Sequence, residues 1–137
     1  MSSRGALEGV RVLDLSRVLA GPLATQSLAD LGAEVLKVER PPAGDDTRSW
    51  GPPFIDDDRS AYFVAANRSK DSLLVDLASP TGGELVRDLA DVCDVLVENF
   101  RPGGAAKFGL DAGRLRPRNA RLIYASVRGF EADGPDA

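Results

Sequence analysis

Five short runs rich in valine and leucine, separated by segments with helical spacing, constrain the fold of this chain most strongly. The runs cover residues 10–15, 34–39, 72–77, 95–97 and 121–127. Each connection is long enough to cross over a sheet, which parallel strands require and hairpins do not. The alternation therefore predicts an α/β fold, with a mostly parallel sheet and flanking helices.

Two longer helices are predicted between these strands. Each has a proline where the missing N–H would be unbonded anyway: Pro22 in the first turn of the first helix, and Pro80 at the first helical position of the second, after the N-cap Ser79. We expect the second helix to run to about Val92. The side chains that we expect these helices to bury are Leu23, Ala24, Ser27, Leu28 and Leu31 in the first and Leu85, Val86, Leu89, Ala90 and Val92 in the second.

Shorter features complete the predicted organisation. Residues 61–64 and 111–119 are each expected to contain a short helix. Residues 40–60 are rich in proline and aspartate, which predicts a long loop. Loops of that length are usually functional or mobile.

Polar and aromatic side chains follow the strands at their carboxyl ends, where open α/β sheets bind ligands. Four of these strand exits read SRVLAGP, ERPPAGDDTR, VDLASPTG and ENFRPGG. The amide of Asn99 suits an amide or ribose edge, the ring of Phe100 suits stacking, and arginine suits anionic oxygens. The candidate cations are Arg40, Arg48, Arg101 and Lys107. From the residues alone, the alternative that they cap strand ends and pair with nearby aspartates stays open.

The sequence disfavours several other sites. Glu39 ends the second strand about where a ribose-binding acid lies, but the first strand–helix turn lacks the glycines of G-x-G-x-x-G. The acidic runs at 44–46 and 56–58 lack the spacing of a calcium or magnesium site and predict solvated loops. Asp14 is expected to cap the turn after the first strand. With no histidine in the chain, Ser-His-Asp catalysis is excluded, and Cys93 is predicted to be a buried structural thiol.

Charge and length exclude further classes of protein. The 17 basic and 21 acidic residues give a net charge of −4, which argues against nucleic-acid and membrane-surface partners. No apolar run approaches the roughly 20 residues that span a bilayer, and the first ten residues lack the apolar core of a secretory signal. We expect a cytoplasmic protein, and 137 residues favour one domain.

Taken in order, these segments resemble the opening of the class III CoA-transferases, a family that includes formyl-CoA and carnitine CoA-transferases and 2-methylacyl-CoA racemases. The similarity runs from LEGVRVLDLSRVLAGPLATQSLADLGAEVLKVERPPAGDDTR through AYFVAANRSKDSLLVDLASPTGGELVRDLADVCDVLVENFRPGGAAKFGL to NARLIYASVRGF. It implies a Rossmann-like domain that binds coenzyme A (CoA) at the strand exits. It also implies acyl-CoA and a carboxylic acid as substrates, no tightly bound cofactor, and an interlocked homodimer.

The resemblance assigns several residues of the first three strand exits to CoA. Val18 and Leu19, in the loop after the first strand, are expected to contact CoA. Arg40 corresponds to an arginine that meets its nucleotide end. Val75 and Asp76 correspond to the segment that lines the adenine side.

Four further CoA-binding positions follow from the resemblance, and the sequence departs from the family at Ala78 and in GFEADGP, which replaces the glycine-glutamine pair often seen after GF. Asn99 and Phe100 correspond to the pair that holds the path of adenosine and pantetheine. Lys107 matches a basic position that faces phosphate, and Arg128 matches a polar or basic position on the strand leading to the active site. Ala78 stands where the family often has a lysine, so one phosphate contact is expected to be missing.

The same resemblance assigns no catalytic residue to residues 1–137. The family's nucleophile is an aspartate downstream of a Gly-Pro that resembles Gly134-Pro135, and neither Asp133 nor Asp136 has the right spacing. The small domain and the C-terminal segment of the family would also lie outside this sequence. We therefore expect a truncated CoA-binding domain, inactive alone, of an enzyme that moves CoA through an aspartyl intermediate. The alternatives are the corresponding part of a racemase, a non-catalytic module that pairs with another chain, and a remnant without ligand.

Overall fold

The computed structural model describes residues 5–57 and 59–130 of the chain. Its strands within those ranges are β1 (Arg11–Asp14), β2 (Glu34–Glu39), β3 (Phe54–Asp56), β4 (Arg59–Ser60), β5 (Asp71–Leu74), β6 (Val95–Glu98) and β7 (Ile123–Ser126). Its helices are α1 (Ala20–Asp30), α2 (Ala61–Asn67), α3 (Pro80–Val92), α4 (Gly104–Lys107) and α5 (Ala112–Leu115), with a 3-10 helix at Asp46–Ser49. Among these helices, none has the length and apolar character needed to cross a membrane.

Five strands form one sheet in the order β5-β2-β1-β6-β7, and every neighbouring pair is parallel. The predicted α/β fold with a mostly parallel sheet is therefore confirmed. The chain begins at the centre of this sheet, adds β2 and β5 on one side of β1, and then adds β6 and β7 on the other. The order reverses between β1 and β6, which makes that boundary the switch point where such sheets bind ligands.

Apolar side chains pack on both faces of the sheet. One face carries a larger cluster, including Leu13, Leu96 and Val86, beneath α3 and α5. The opposite face carries a smaller cluster, including Val12 and Val35, beneath α1. Burial on both sides explains why the strands read as nearly continuous apolar runs.

Several element boundaries differ from the predicted ones. The bounds of β2 agree, whereas β1 and β7 are shorter than predicted, β6 extends to Glu98, and β5 covers Asp71–Leu74 instead of residues 72–77. The predicted loop at 40–60 holds the 3-10 helix and the β3–β4 hairpin. The helix predicted at 61–64 continues to residue 67, and the pattern does not predict α4.

The predicted inward faces of α1 and α3 are each right only in part. On α1, Leu28 packs against the smaller cluster as predicted, whereas Ala24 and Ser27 are exposed. Leu23 and Leu31 are about half exposed, at 49% and 50%. The residues of α1 that are buried instead are Gly21, Pro22, Thr25 and Gln26. On α3, Val86 and Ala90 are buried as predicted and Leu89 packs against the core, but Leu85 and Val92 are exposed. The reason for α1 is that it packs on polar groups of the sheet, which the next subsection describes.

Candidate functional site

A cleft of about 350 Å³ opens at the carboxyl ends of the sheet strands. Residues at the ends of β1, β2, β5 and β6 or just after them form the cleft, together with the residue that follows α4. The residues that line it are Leu15, Arg17, Val38, Glu39, Arg40, Val75, Asp76, Leu77, Ala78, Phe100 and Phe108. Four of the nine predicted CoA-binding residues thus come together here: Arg40, Val75, Asp76 and Phe100.

The floor of the cleft is apolar and belongs to the core. Leu15, Val38 and Val75 are buried members of the larger hydrophobic cluster, so packing fixes their positions. Phe100 and Phe108 form an aromatic wall, with ring centroids 6.0 Å apart and ring planes tilted by 54°. Such a surface suits the flat ring or the apolar chain of a ligand.

Two arginines lie on the polar side of this cleft. Arg17 follows β1 and Arg40 follows β2, so both guanidinium groups belong to strand exits on the same edge of the sheet. Arg17 also makes a long contact with the exposed Asp46, with 3.9 Å between nitrogen and oxygen. Planar guanidinium groups bind phosphate oxygens well, and this pair gives the cleft an anion-binding side.

The carboxylate of Glu39 is occupied by neighbouring donors. Arg48 donates Nε to Oε2 at 2.7 Å and Nη2 to Oε1 at 2.8 Å, and Ser72 Oγ donates to Oε1 at 2.5 Å. The backbone N–H of Asp45 also donates to Oε2, at 2.7 Å. A carboxylate with this set of donors is not placed to recognise a ribose, in agreement with the missing glycine motif. Arg48, one of the cations predicted to meet a ligand, is instead paired with the Glu39 carboxylate.

Asp76 and Ala78 shape the turn between β5 and α3. Asp76 Oδ1 accepts a hydrogen bond of 2.9 Å from the N–H of Ala78, and Ser79 caps α3 by accepting from the N–H of Gly82. These contacts account for Asp76 as a turn residue as well as a cleft residue. Ala78 lines the cleft, so the position where the family often has a lysine does face this site.

The loop after β1 forms the side of the cleft nearest the switch point. Arg17 donates its N–H to Asn99 Oδ1 at 2.9 Å, and its carbonyl accepts from Asn99 Nδ2 at 2.8 Å. The predicted residue Asn99 therefore joins the loops after β1 and β6. Val18 lies in the same loop with φ of 70°, and Leu19 is the exposed N-cap residue of α1.

Five of the nine predicted residues lie outside the cleft lining: Val18, Leu19 and Asn99 in the adjoining loops, and Lys107 and Arg128. Lys107 is exposed at the end of α4, beside the cleft residue Phe108. Arg128 is exposed after β7 and donates Nε to Ser126 Oγ at 3.0 Å. The structure does not bring these two cations together with Arg17 and Arg40. Their roles stay predictions.

Four charged side chains are buried on the α1 face of the sheet, and the sequence prediction misses their pairing. Lys37 Nζ lies 3.0 Å from Asp45 Oδ2, and Lys70 Nζ lies 3.0 Å from Asp14 Oδ2, with all four side chains at most 1% exposed. Asp14 also accepts from Ser16 and from Thr25 Oγ1, which draws α1 against the sheet through polar groups. The expected capping role of Asp14 is thus confirmed and extended.

These pairs correct one prediction about the acidic runs. Asp45 is buried and accepts from the N–H and Oγ1 of Thr47, so it does not belong to a solvated loop, whereas Asp46, Asp56 and Asp57 are exposed as predicted. Burial raises the pKa of Asp45, but the charge of Lys37 and the bonds from Thr47 outweigh it and lower the pKa below its ordinary value. No group of acidic, cysteine or histidine side chains within residues 5–57 and 59–130 is arranged to hold a metal ion.

Cys93 follows α3 and is buried, as predicted. Burial is the main cause that raises the pKa of its thiol. A thiol with a raised pKa is a weak nucleophile at neutral pH, which agrees with a structural role.

For the buried ion pairs that the sequence prediction missed, the available signal was the lysine within the apolar run of β2, because an interior strand can bury such a charge only beside a partner.

Comparisons with known proteins agree on one family. Residues 7–137 match the family described as CoA-transferase family III. The chain is 54% identical over 132 residues to the succinyl-CoA:glutarate CoA-transferase of Mus musculus, which covers 94% of this chain and 29% of that protein. It is 52% identical over 136 residues to the succinate–glutarate CoA-transferase of Agrobacterium fabrum, covering 96% of this chain and 34% of that one.

Solved structures show the same fold. A CAIB/BAIF family protein from Brucella suis superimposes with a TM-score of 0.93 at 50% identity, covering 97% of this chain and 36% of that one. The protein Rv3272 from Mycobacterium tuberculosis superimposes with a TM-score of 0.87 at 44% identity. The chain therefore spans about a third of the length of the relatives that it matches.

Proposed function

The chain belongs to CoA-transferase family III, and we propose from this premise that the cleft at the strand exits binds coenzyme A. The observation that carries the proposal is the composition of that cleft, which joins an apolar and aromatic floor to two arginines. CoA has the matching chemistry, since it links a flat base and an apolar pantetheine chain through phosphates. Arg40 and Arg17 would meet the phosphates, and Phe100 and Val75 would contact the less polar parts.

For the whole protein we propose CoA transfer between two carboxylic acids. The family resemblance implies that an aspartate outside residues 1–137 attacks the acyl-CoA carbonyl and expels the CoA thiolate, which leaves a mixed anhydride. The thiolate then attacks the aspartyl carbonyl of that anhydride and releases the first acid. The acceptor carboxylate then attacks the aspartyl carbonyl of the aspartyl-CoA thioester and expels the CoA thiolate, which leaves a second mixed anhydride. The thiolate attacks the acceptor's carbonyl in that anhydride, which forms the new acyl-CoA and releases the aspartate carboxylate. The covalent intermediates divide one difficult acyl exchange into several easier steps.

The substrates of the relatives suggest the acids involved. The curated relatives from Mus musculus and Agrobacterium fabrum are named for succinate and glutarate, and one from Haloarcula hispanica is named for succinyl-CoA and mesaconate. We propose short dicarboxylic acids as both acyl group and acceptor. A cytoplasmic location, a single CoA-binding domain within residues 1–137 and an interlocked homodimer of the whole protein complete the proposal.

Calorimetric titration of the purified chain with CoA tests the binding step. We expect saturable heat, and a loss of affinity of about tenfold or more in Arg40→Ala, because charge-assisted bonds to phosphate contribute roughly 1.5–3 kcal/mol. Arg116→Ala is the matched control, since Arg116 is also exposed but lies outside the cleft. No heat from a chain that melts cooperatively would overturn the proposal, as would equal losses in the two variants.

An activity assay tests the division of labour. We expect no turnover when the 137-residue chain is given succinyl-CoA and glutarate, because the proposed nucleophile lies elsewhere. Steady formation of glutaryl-CoA by this chain would contradict that expectation.

A further inference from the structure

The backbone of residues 16–18 is held almost entirely by side chains from other segments. The carbonyl of Ser16 accepts from Lys37 Nζ at 2.8 Å, and the N–H of Val18 donates to Asp45 Oδ2 at 3.3 Å. Between them, both polar backbone groups of Arg17 are bonded to the Asn99 side chain. A loop without regular structure normally leaves such groups to water, so this arrangement fixes the loop specifically.

The backbone conformation of Val18 is strained, so the loop depends on these hydrogen bonds. The Val18 φ of 70° lies in the left-handed region, which a β-branched residue adopts only at a cost in free energy. The conformation therefore persists only where surrounding groups impose it. Asp45 Oδ2 bonds to both Val18 and Lys37, so one buried oxygen connects the strained residue to the interior of β2.

We infer that the buried Lys37–Asp45 pair, together with Asn99, holds residues 16–18 in the conformation that forms one wall of the cleft. Lys37 and Asp45 are thus positioning residues for CoA binding, although neither lines the cleft. The inference rests on the proposed CoA binding for its functional part. Its structural part, the fixed loop, stands without any ligand.

Hydrogen exchange in the free chain measures the structural part. Asp45→Asn removes the charge that pairs with Lys37 and leaves one acceptor oxygen where the carboxylate has two, so we expect the Val18 amide to exchange at least about tenfold faster. The amides of Leu13 and Leu96, in the core strands, should keep their rates. Unchanged exchange at Val18 would overturn the inference whether or not CoA binds.

Calorimetry with CoA measures the functional part in a cycle of four proteins: the unchanged chain, Asp45→Asn, Val18→Gly and the double variant. We expect Asp45→Asn to weaken CoA binding by about tenfold, the scale set by the cost of a left-handed residue. In the Val18→Gly background the same change should cost less than about threefold, because glycine adopts this φ without strain. A purely structural role for Asp45 would give equal losses in both backgrounds and would overturn the positioning role.

Controls separate the remaining outcomes. Asp88→Asn makes the same chemical change on the exposed side of α3 and should alter neither exchange at Val18 nor binding. Should Asp45→Asn not melt cooperatively, Asn99→Ala releases the half-buried opposite side of the same loop, and faster exchange at Arg17 and Val18 is then expected. If the unchanged chain shows a protected Val18 amide but binds no CoA, the fixed loop is supported and the proposed function is refuted.

Discussion

Lys70 is a buried cation with a complete set of hydrogen-bond acceptors. Its Nζ donates to Asp14 Oδ2 at 3.0 Å, to the carbonyl of Pro22 at 2.8 Å and to Asn67 Oδ1 at 2.9 Å, so each ammonium hydrogen has an acceptor. Burial is the main cause that lowers the pKa of Lys70, and the charge of Asp14 opposes only part of this effect. The residue joins β1, α1 and α2 at one point.

Replacing Lys70 should therefore destabilise the chain strongly. We expect Lys70→Met to lower the free energy of unfolding by about 3–5 kcal/mol, because it leaves the buried Asp14 carboxylate without its cation. Arg68→Met is the matched control, since Arg68 lies two residues before Lys70 in sequence but pairs with Asp30 at the surface. This substitution should cost less than about 1 kcal/mol. Urea unfolding of both variants at pH 7 measures the difference, and similar losses would show that burial of the pair does not matter.

For single residues, the sequence predicts which side chains meet at the cleft better than it predicts which buried charges pair with each other. Arg40, Val75 and Phe100 follow strands, and the position of strand ends alone predicts that they meet. The pairing of Lys37 with Asp45 was not predictable in the same way. Aspartate in an acidic, proline-rich segment resembles a solvated residue, and only the return of that segment over β2 buries it.

The segment between β2 and β3 is fixed by hydrogen bonds to two buried carboxylates, those of Glu39 and Asp45. Burial raises the pKa of Glu39, but its bonds from Arg48, Ser72 and the Asp45 N–H outweigh burial and lower the pKa below the ordinary value of 4.5. The pKa of Asp45 is also lowered, from 3.8. The folded chain therefore releases these two protons more readily than the unfolded chain does.

This difference predicts how stability depends on acid pH. Between the folded and unfolded pKa values the unfolded chain binds more protons, so the stabilisation is present above about pH 4.5 and is lost as pH falls through the folded values. Each such group contributes a slope of at most about 1.4 kcal/mol per pH unit. Urea unfolding between pH 6 and about pH 3 should show this decline.

A variant assigns that slope to the segment. Glu39→Gln should lower stability at pH 7 and flatten the acid decline, because the neutral amide takes up no proton. The exposed Glu84→Gln should leave the curve as it is in the unchanged chain. A decline of the same steepness in Glu39→Gln would place the titrating groups elsewhere.

Helices show why hydrophobic spacing alone misjudged a buried face. The leucines of α1 lie at helical intervals, yet Thr25 and Gly21 face the sheet because Asp14 and Ser16 lie beneath them. A Cβ on Gly21 would lie 2.3 Å from the Cβ of Ser16, so the close approach of α1 to this loop requires glycine. Where the neighbouring strand offers polar groups, the helix buries polar and small residues. The outward leucines are then left for another surface.

For the whole molecule, the sequence predicts the fold class and not the order of the strands. Parallel strands with crossovers follow from the alternation of elements, but the side on which each crossover adds its strand depends on tertiary packing. The resemblance supplies that architecture, and solved relatives at TM-scores of 0.93 and 0.87 agree with it. Both edges of the sheet, β5 and β7, carry an exposed large side chain, at Leu74 and Ile123.

Exposed leucines on α1 lead to the last prediction, which concerns association. Leu19 at the N-cap, Leu23 within α1 and Leu31 at the C-cap are 46–50% exposed, and exposed apolar side chains favour contact with another surface. Because the chain spans about a third of its relatives' length, we expect such side chains to be covered in the longer proteins. In the 137-residue chain alone, they should promote reversible self-association.

Sedimentation velocity over a range of concentrations measures this association. We expect the weight-average sedimentation coefficient to rise with concentration, and Leu23→Lys to suppress the rise because it replaces apolar contact area with a charge that must stay hydrated. Leu85→Lys is the matched control, since Leu85 is similarly exposed, at 44%, but lies on α3 on the opposite face of the sheet. Equal effects of the two substitutions would point to a general effect of added charge, and a coefficient that does not change with concentration would show that the α1 surface is stable in water as it stands.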